Sequence, residues 1–293
     1  MKTRATLIGF TAILMWALLA LFTAASGTMP PFQLSAICFL IGSLPGIVVL
    51  LVRPERMRLL RQPAKVWITG ILGLFGYHFL YFTALRNAPA VEASLIAYLW
   101  PLLIVTGSAL LPSERLKWNH ILGTLLGLGG TALIVGRNGV SFDSAYLVGY
   151  GAAFLCAFTW AGYSLATRRF EAVSTDVVTG FCIATSMLSL LCHLALETTV
   201  WPQSGSEWLA VAGLGLLPVG AAFYAWDFSV KNGDIQILGA ASYSAPLLST
   251  LVLILSGFAE PSLGIGIACL LVTGGAMLAA KDMIFRKAAA SPA

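Results

Sequence analysis

Residues 86–101 read RNAPAVEASLIAYLWP and residues 231–246 read KNGDIQILGAASYSAP, and the two passages share one frame. Each opens on a basic residue followed by Asn (Arg86-Asn87, Lys231-Asn232), carries a Tyr (Tyr98, Tyr243) and closes on a Pro (Pro101, Pro246), at a constant offset of 145. The same offset pairs Gly129-Gly130 with Gly274-Gly275 and Tyr81 with Trp226, while an offset of 144 pairs Trp16 with Trp160 and Cys38 with Cys182. One register running through several segments marks a chain built from two copies of one half.

The composition says what kind of half it is. Of 293 residues, 58% are hydrophobic and only 10% charged, with a mean hydropathy of +0.88. A soluble domain typically carries about 25% charged residues, so a water-soluble globular reading is excluded and spans of about 20 apolar residues set the architecture. Apolar runs bounded by charge, Pro or Gly predict ten helices, at 5–26, 31–52, 65–86, 90–111, 118–136, 145–167, 175–196, 207–230, 236–258 and 262–281. With the N-terminus on the cytoplasmic side, only Arg86 and Arg137 of the 17 Lys and Arg residues fall outside, which is the asymmetry of the positive-inside rule. The net charge of +5 is therefore an orientation signal, and the short basic loops form no continuous face for nucleic acid. Met1-Lys2-Thr3-Arg4 before an apolar run ending at Ala24-Ala25-Ser26-Gly27 resembles a signal peptide. The run is longer than a signal core, however, and the repeat needs this helix as partner of the sixth.

Five helices per copy, an odd number, insert the second copy upside down. The expectation is an all-α integral membrane protein with ten transmembrane helices as two inverted five-helix repeats, residues 1–138 and 139–285, followed by a frayed tail at 286–293. Inverted halves packed face to face place a site at the bilayer midplane that rocking exposes to either side, the design of a secondary transporter.

These features together resemble the EamA-type drug/metabolite transporter superfamily: Trp16 and Trp160 in the first helix of each half, the basic-Asn pairs closing the third, Pro101 and Pro246 inside the fourth, and the Gly-Gly pairs in the fifth. Within it, Tyr77-His78-Phe79-Leu80-Tyr81 and Tyr98-Leu99-Trp100-Pro101 are similar to the YddG-type exporters of aromatic amino acids. The resemblance implies a basket of helices around a central cavity in a bacterial inner membrane. It further implies export of small neutral metabolites, aromatic and other neutral amino acids foremost. A carrier for another amphipathic or nucleotide-sugar-like solute is the alternative within the superfamily; a channel or a membrane enzyme is the alternative outside it.

Candidate solute contacts follow from residue chemistry. Pro101 and Pro246 each remove a helical hydrogen bond and leave the carbonyls of Ala97 and Ser242 without their usual donor, ready for an ammonium group or satisfied at a mere kink. Tyr77, His78 and Tyr81 project from neighbouring faces of one turn. Tyr98 and Trp100 lie on the next helix, with Trp160 and Tyr163 opposite, joined by Tyr224 and Tyr243. Flat rings with polar tips suit a small amphipathic solute, and equally suit core packing. Asp227 is a gate or proton site, or a local ion pair with Lys231. His78 is a proton carrier or a neutral hydrogen-bonded histidine. His193 and Glu197 read as a surface pair, His120 as interfacial, and Trp67, Trp118, Trp201 and Trp208 as an interfacial belt.

Absent patterns narrow the function. No Lys or Arg lies deep in a span, which disfavours phosphorylated solutes, and the first helix has no carboxylate for proton-for-cation exchange. HExxH, GxSxG and a phosphate loop are missing, so neither hydrolysis nor direct ATP coupling is supported. The five Cys residues show no CxxC pair, so no metal, cofactor or disulfide framework is expected. The expected partners are the solute and membrane lipid, with oligomeric state left open. Gly123, Gly127, Gly129, Gly130, Gly264, Gly266, Gly274 and Gly275 read as close helix packing.

Overall fold

The computed structural model describes residues 2–112, 114–136, 139–140, 142–257, 260 and 262–281. Arg137, Arg286, Lys287 and the predicted tail lie outside the described residues. Among those described, every regular element is helical, as expected where each backbone N–H must find its acceptor within its own segment. Nine helical stretches among the described residues are long and apolar enough to cross a membrane: α1 Lys2–Ala25, α2 Pro31–Val52, α3 Ala64–Asn87, α4 Ala90–Leu110, α5 Trp118–Val135, α6 Ser144–Arg168, α7 Val177–Leu196, α8 Gly205–Asn232 and α9 Ile235–Leu255. A shorter apolar helix, α10 Leu263–Ala279, follows. These lie within a few residues of the segments expected from sequence.

Besides a one-residue break at Leu18 in α1, four helices are interrupted near their middles. In α3 and α8 the interruption is a five-residue π segment, Leu72–Gly76 and Leu217–Ala221. In α4 and α9 it is a turn, at Tyr98-Leu99 between Ala90–Ala97 and Trp100–Gly107, and at Ser242-Tyr243 between Ile235–Ala241 and Ser244–Leu255. Pro101 thus sits in the first turn of a half-helix, where the N–H it lacks has no intrahelical acceptor anyway.

Ion pairs define two ends. At one, Lys2 meets Glu114 at 3.5 Å and Asp234 at 3.2 Å, Arg168 meets Glu114 at 2.7 Å, and Arg56 meets Asp176 at 3.1 Å. At the other, Glu197 at the close of α7 accepts from the Phe32 and Gln33 N–H groups that open α2, both at 3.1 Å, and from Arg86 at 2.6 Å. The sequence reading of His193 and Glu197 as a surface pair is corrected here: their side chains are only 4% and 2% exposed. Helix α2 begins on Pro30-Pro31 with no side-chain cap of its own, so its orphan donors draw in a buried carboxylate. His120 is also buried, its Nδ1 accepting from Lys117 N–H at 3.3 Å where α5 opens.

Helix α1 packs on α8 and α3 on α6, while α2 faces α7 and α5 faces α10. The contact between α5 and α10 is glycine-made. A Cβ on Gly123 would lie 2.4 Å from the Gly275 carbonyl oxygen, and one on Gly130 2.7 Å from Val272 Cγ2. Gly129, Gly266 and Gly274 have no such neighbour within 4 Å, so the packing reading fails for them. Of the expected aromatic belt, Trp118, Trp201 and Trp208 are exposed, whereas Trp67 turns inward to pack edge-on against Phe181.

Candidate solute site at the helix interruptions

Four tryptophans from four helices meet: Trp16 of α1, Trp100 of α4, Trp160 of α6 and Trp226 of α8. Every pair among them is in ring contact, from 5.1 Å for Trp16–Trp226 to 6.3 Å for Trp16–Trp100. Most of these pairs are edge-on, the arrangement the ring quadrupole favours. Phe223 joins from α8, stacked on Phe39 at 5.5 Å and against Trp160 at 5.7 Å. Tyr77 and Tyr163 flank Trp160 at 5.5 and 5.3 Å.

The interruptions position these rings. The π segment in α8 presents the Pro218 carbonyl to the Trp16 indole N–H, which donates to it at 3.2 Å. Trp226 donates to Ser164 Oγ at 3.1 Å. The indole N–H groups of Trp100 and Trp160 have no acceptor among the described residues. The π segment in α3 places Gly73 under the Tyr163 ring, where a Cβ would come within 2.3 Å. His78 donates from Nδ1 to the Leu74 carbonyl at 2.7 Å, since a carbonyl can only accept, and its ring stands edge-on to Phe39 at 5.0 Å.

Among the residues expected from sequence, Tyr77, His78, Trp100, Trp160 and Tyr163 converge here. Tyr81 stacks on Tyr77 at 6.1 Å with rings 5° from parallel, and its hydroxyl lies 3.4 Å from Ser94 Oγ. Tyr98, in the α4 turn, is half-buried close to Tyr77 and Tyr81. Two others lie elsewhere. The Tyr224 hydroxyl donates to Thr179 Oγ1 at 3.1 Å between α2 and α7. Tyr243 is fully buried against Gly127 of α5, its hydroxyl without a well-formed hydrogen bond. The two carbonyls also differ: Ser242 accepts from Ala245 N–H at 3.1 Å, whereas no turn N–H of the described residues reaches Ala97. Trp16, Trp226, Phe39 and Phe223 are missing from the sequence-based set. The offset pairs Trp16–Trp160 and Tyr81–Trp226 were the signal that pointed to two of them.

Asp227 and Lys231 form a local ion pair at 2.8 Å, with side chains 1% and 3% exposed. Thr175 Oγ1 donates to the same carboxylate oxygen at 2.7 Å, and Lys231 Nζ donates to the Val173 carbonyl at 2.9 Å. Arg168 braces this helix end through the Val230 and Lys231 carbonyls. A narrow cleft lies beside the pair, lined among others by Tyr163, Thr167, Phe170 and Phe181.

The sequence pattern of the EamA-like transporter family matches residues 3–136 and, a second time, residues 147–280. The aromatic amino acid exporter YddG of Ancylobacter novellus is 55% identical over 95% of this chain and 97% of its own length. The exporter of the same name from Escherichia coli K12 is 27% identical over 94% of this chain and 97% of its own. The pseudopaline exporter CntI of Pseudomonas aeruginosa is 28% identical over 74% and 75%. A crystal structure with 55% identity superposes with a TM-score of 0.91, covering 95% of this chain and 98% of that one.

Proposed function

Because the chain belongs to the EamA-like transporter family, and is thereby a multi-pass membrane transporter rather than an enzyme, we propose that it exports aromatic and other neutral amino acids by alternating access. The observation that carries the substrate class is the 55% identity to a protein named for aromatic amino acid export. The tryptophan cluster agrees with it, because rings with two unspent indole donors offer an indole or phenyl solute both stacking faces and hydrogen bonds.

The architecture of this reading is ten spans in two inverted halves, 1–138 and 139–285. Three observations support it. The π segments 72–76 and 217–221 are 145 positions apart, the register of the sequence repeat. The contacts α1 with α8 and α3 with α6 exchange when each helix is replaced by its repeat partner, and α2–α7 and α5–α10 map onto themselves. Helix α10 completes the second half although, at 17 residues, it is short for a span. Such symmetry gives the two end states of a carrier similar energies.

The basic Lys2 end is the cytoplasmic one in this reading, with both termini inside an inner membrane. Repeat-related residues differ in exposure: the Arg86 side chain is 42% exposed, its counterpart Lys231 only 3%. This difference supports reading the arrangement as the one closed at the Lys2 end. Trp16, Tyr77, Trp100, Trp160 and Trp226 contact the solute, and the Ala97 carbonyl accepts its ammonium. His78, committed through Nδ1 to Leu74, orients the ring wall. Counterflow tests the mechanism: liposomes loaded with unlabelled phenylalanine transiently accumulate labelled tryptophan above its external concentration. A channel gives simple equilibration.

A further inference from the structure

The Asp227–Lys231 pair is more than a charge buried at a helix end. The carboxylate spends one oxygen, Oδ2, on both Thr175 and Lys231, and Oδ1 makes no hydrogen bond among the described residues. The ammonium spends two of its three protons, on Asp227 and on the Val173 carbonyl. A third unspent group is the Tyr163 hydroxyl, buried beside Thr167 with no hydrogen bond of good geometry. All three residues line one cleft whose remaining wall is mostly apolar, from Val66, Phe170, Val177 and Phe181, with Thr69 and Thr167 set among them. Unspent hydrogen-bonding capacity in buried polar groups is costly, so its gathering at one cleft calls for a ligand.

Resting on the export reading above, we propose that this pair is a recognition site for the zwitterionic head of an amino acid, passed on the route between the Lys2 end and the tryptophan cluster. The ammonium of the solute takes the place of Lys231 on Asp227, and its carboxylate takes the place of Asp227 on Lys231. The exchange leaves the net charge of the site unchanged, so no uncompensated charge is created at membrane depth. The solute side chain lies against Phe181 and Phe170, and Tyr163, in ring contact with Trp160 at 5.3 Å, bridges to the central cluster. With no solute the two residues close on each other and the cleft narrows to what is observed. One pair then selects zwitterions on entry and seals the route behind them.

Binding of tritiated tryptophan to the full chain in lipid nanodiscs tests this, with three competitors: tryptophan methyl ester, which lacks the carboxylate charge, indole-3-propionate, which lacks the ammonium, and unlabelled tryptophan. Wild type prefers the zwitterion at least tenfold over either derivative. Lys231→Met abolishes the preference over the ester, and Asp227→Asn the preference over indole-3-propionate. The double variant removes both charges together, so neither is stranded, and it binds all three ligands alike. A double variant that keeps its thermal midpoint and still prefers tryptophan tenfold overturns the site and leaves the export reading intact. Failure of wild type to bind tryptophan at all overturns the export reading, and this site with it.

Discussion

The Trp16 indole nitrogen donates to the Pro218 carbonyl across 3.2 Å, joining two residues 202 positions apart in the chain. The bond ties the first helix to the π segment of the eighth, where the local backbone departs from the regular α-helical ladder. Trp16→Phe keeps a ring in the cluster but leaves that carbonyl without its donor. Interhelical hydrogen bonds in membranes average about 0.6 kcal/mol, so a small, reproducible fall in thermal midpoint is expected in detergent. Trp226→Phe, which forfeits the bond to Ser164, falls by a similar amount.

Two neighbouring glycines on α5 separate close packing from mere composition. Gly123→Ala drives a methyl to 2.4 Å from the Gly275 carbonyl, a backbone atom that cannot swing aside, and the α5–α10 contact has to open. Gly129→Ala meets nothing within 4 Å, and alanine is favoured over glycine in a helix by about 1 kcal/mol. Thermal unfolding of the two variants therefore moves in opposite directions, Gly123→Ala down and Gly129→Ala unchanged or up.

Glu197 is the hub of the end opposite Lys2. Its carboxylate accepts from two backbone N–H groups, from Arg86 and from His193 at 3.0 Å. Glu197→Gln turns one acceptor into a donor facing donors, at a cost of about 1–3 kcal/mol. Denaturation of the purified variant shows a lowered midpoint, while Glu171→Gln, in an exposed position, serves as the unaffected control.

Segment positions and the offset of 145 were legible in the sequence, and the Asp227–Lys231 pair was one of the two readings it left open for Asp227. They depend on local hydropathy and on spacing within one regular helix, and Asp227 and Lys231 both lie in the unbroken stretch Ala222–Asn232. Side-chain direction was less legible. A π segment or a turn shifts the phase of every residue beyond it, so a face computed at 100° per residue is valid only between interruptions. Tyr243 stands in such a turn and packs on Gly127 instead of reaching the tryptophans. Nor does anything in the stretches LGLFG and LPVGA announce a π segment. Trp16 and Trp226 belong to different helices, and only the packing of α1 on α8 brings them to 5.1 Å.

The most direct measurement of the central claim is uptake of labelled tryptophan, threonine and a nucleotide sugar into liposomes holding the purified protein, wild type beside Trp100→Ala and Tyr243→Phe. Saturable amino-acid uptake in wild type is expected, with Trp100→Ala at least tenfold lower and Tyr243→Phe near wild type because its hydroxyl bonds to nothing well. Uptake of the nucleotide sugar alone, or undiminished tryptophan uptake by Trp100→Ala, would contradict an amino-acid site built on the tryptophan cluster.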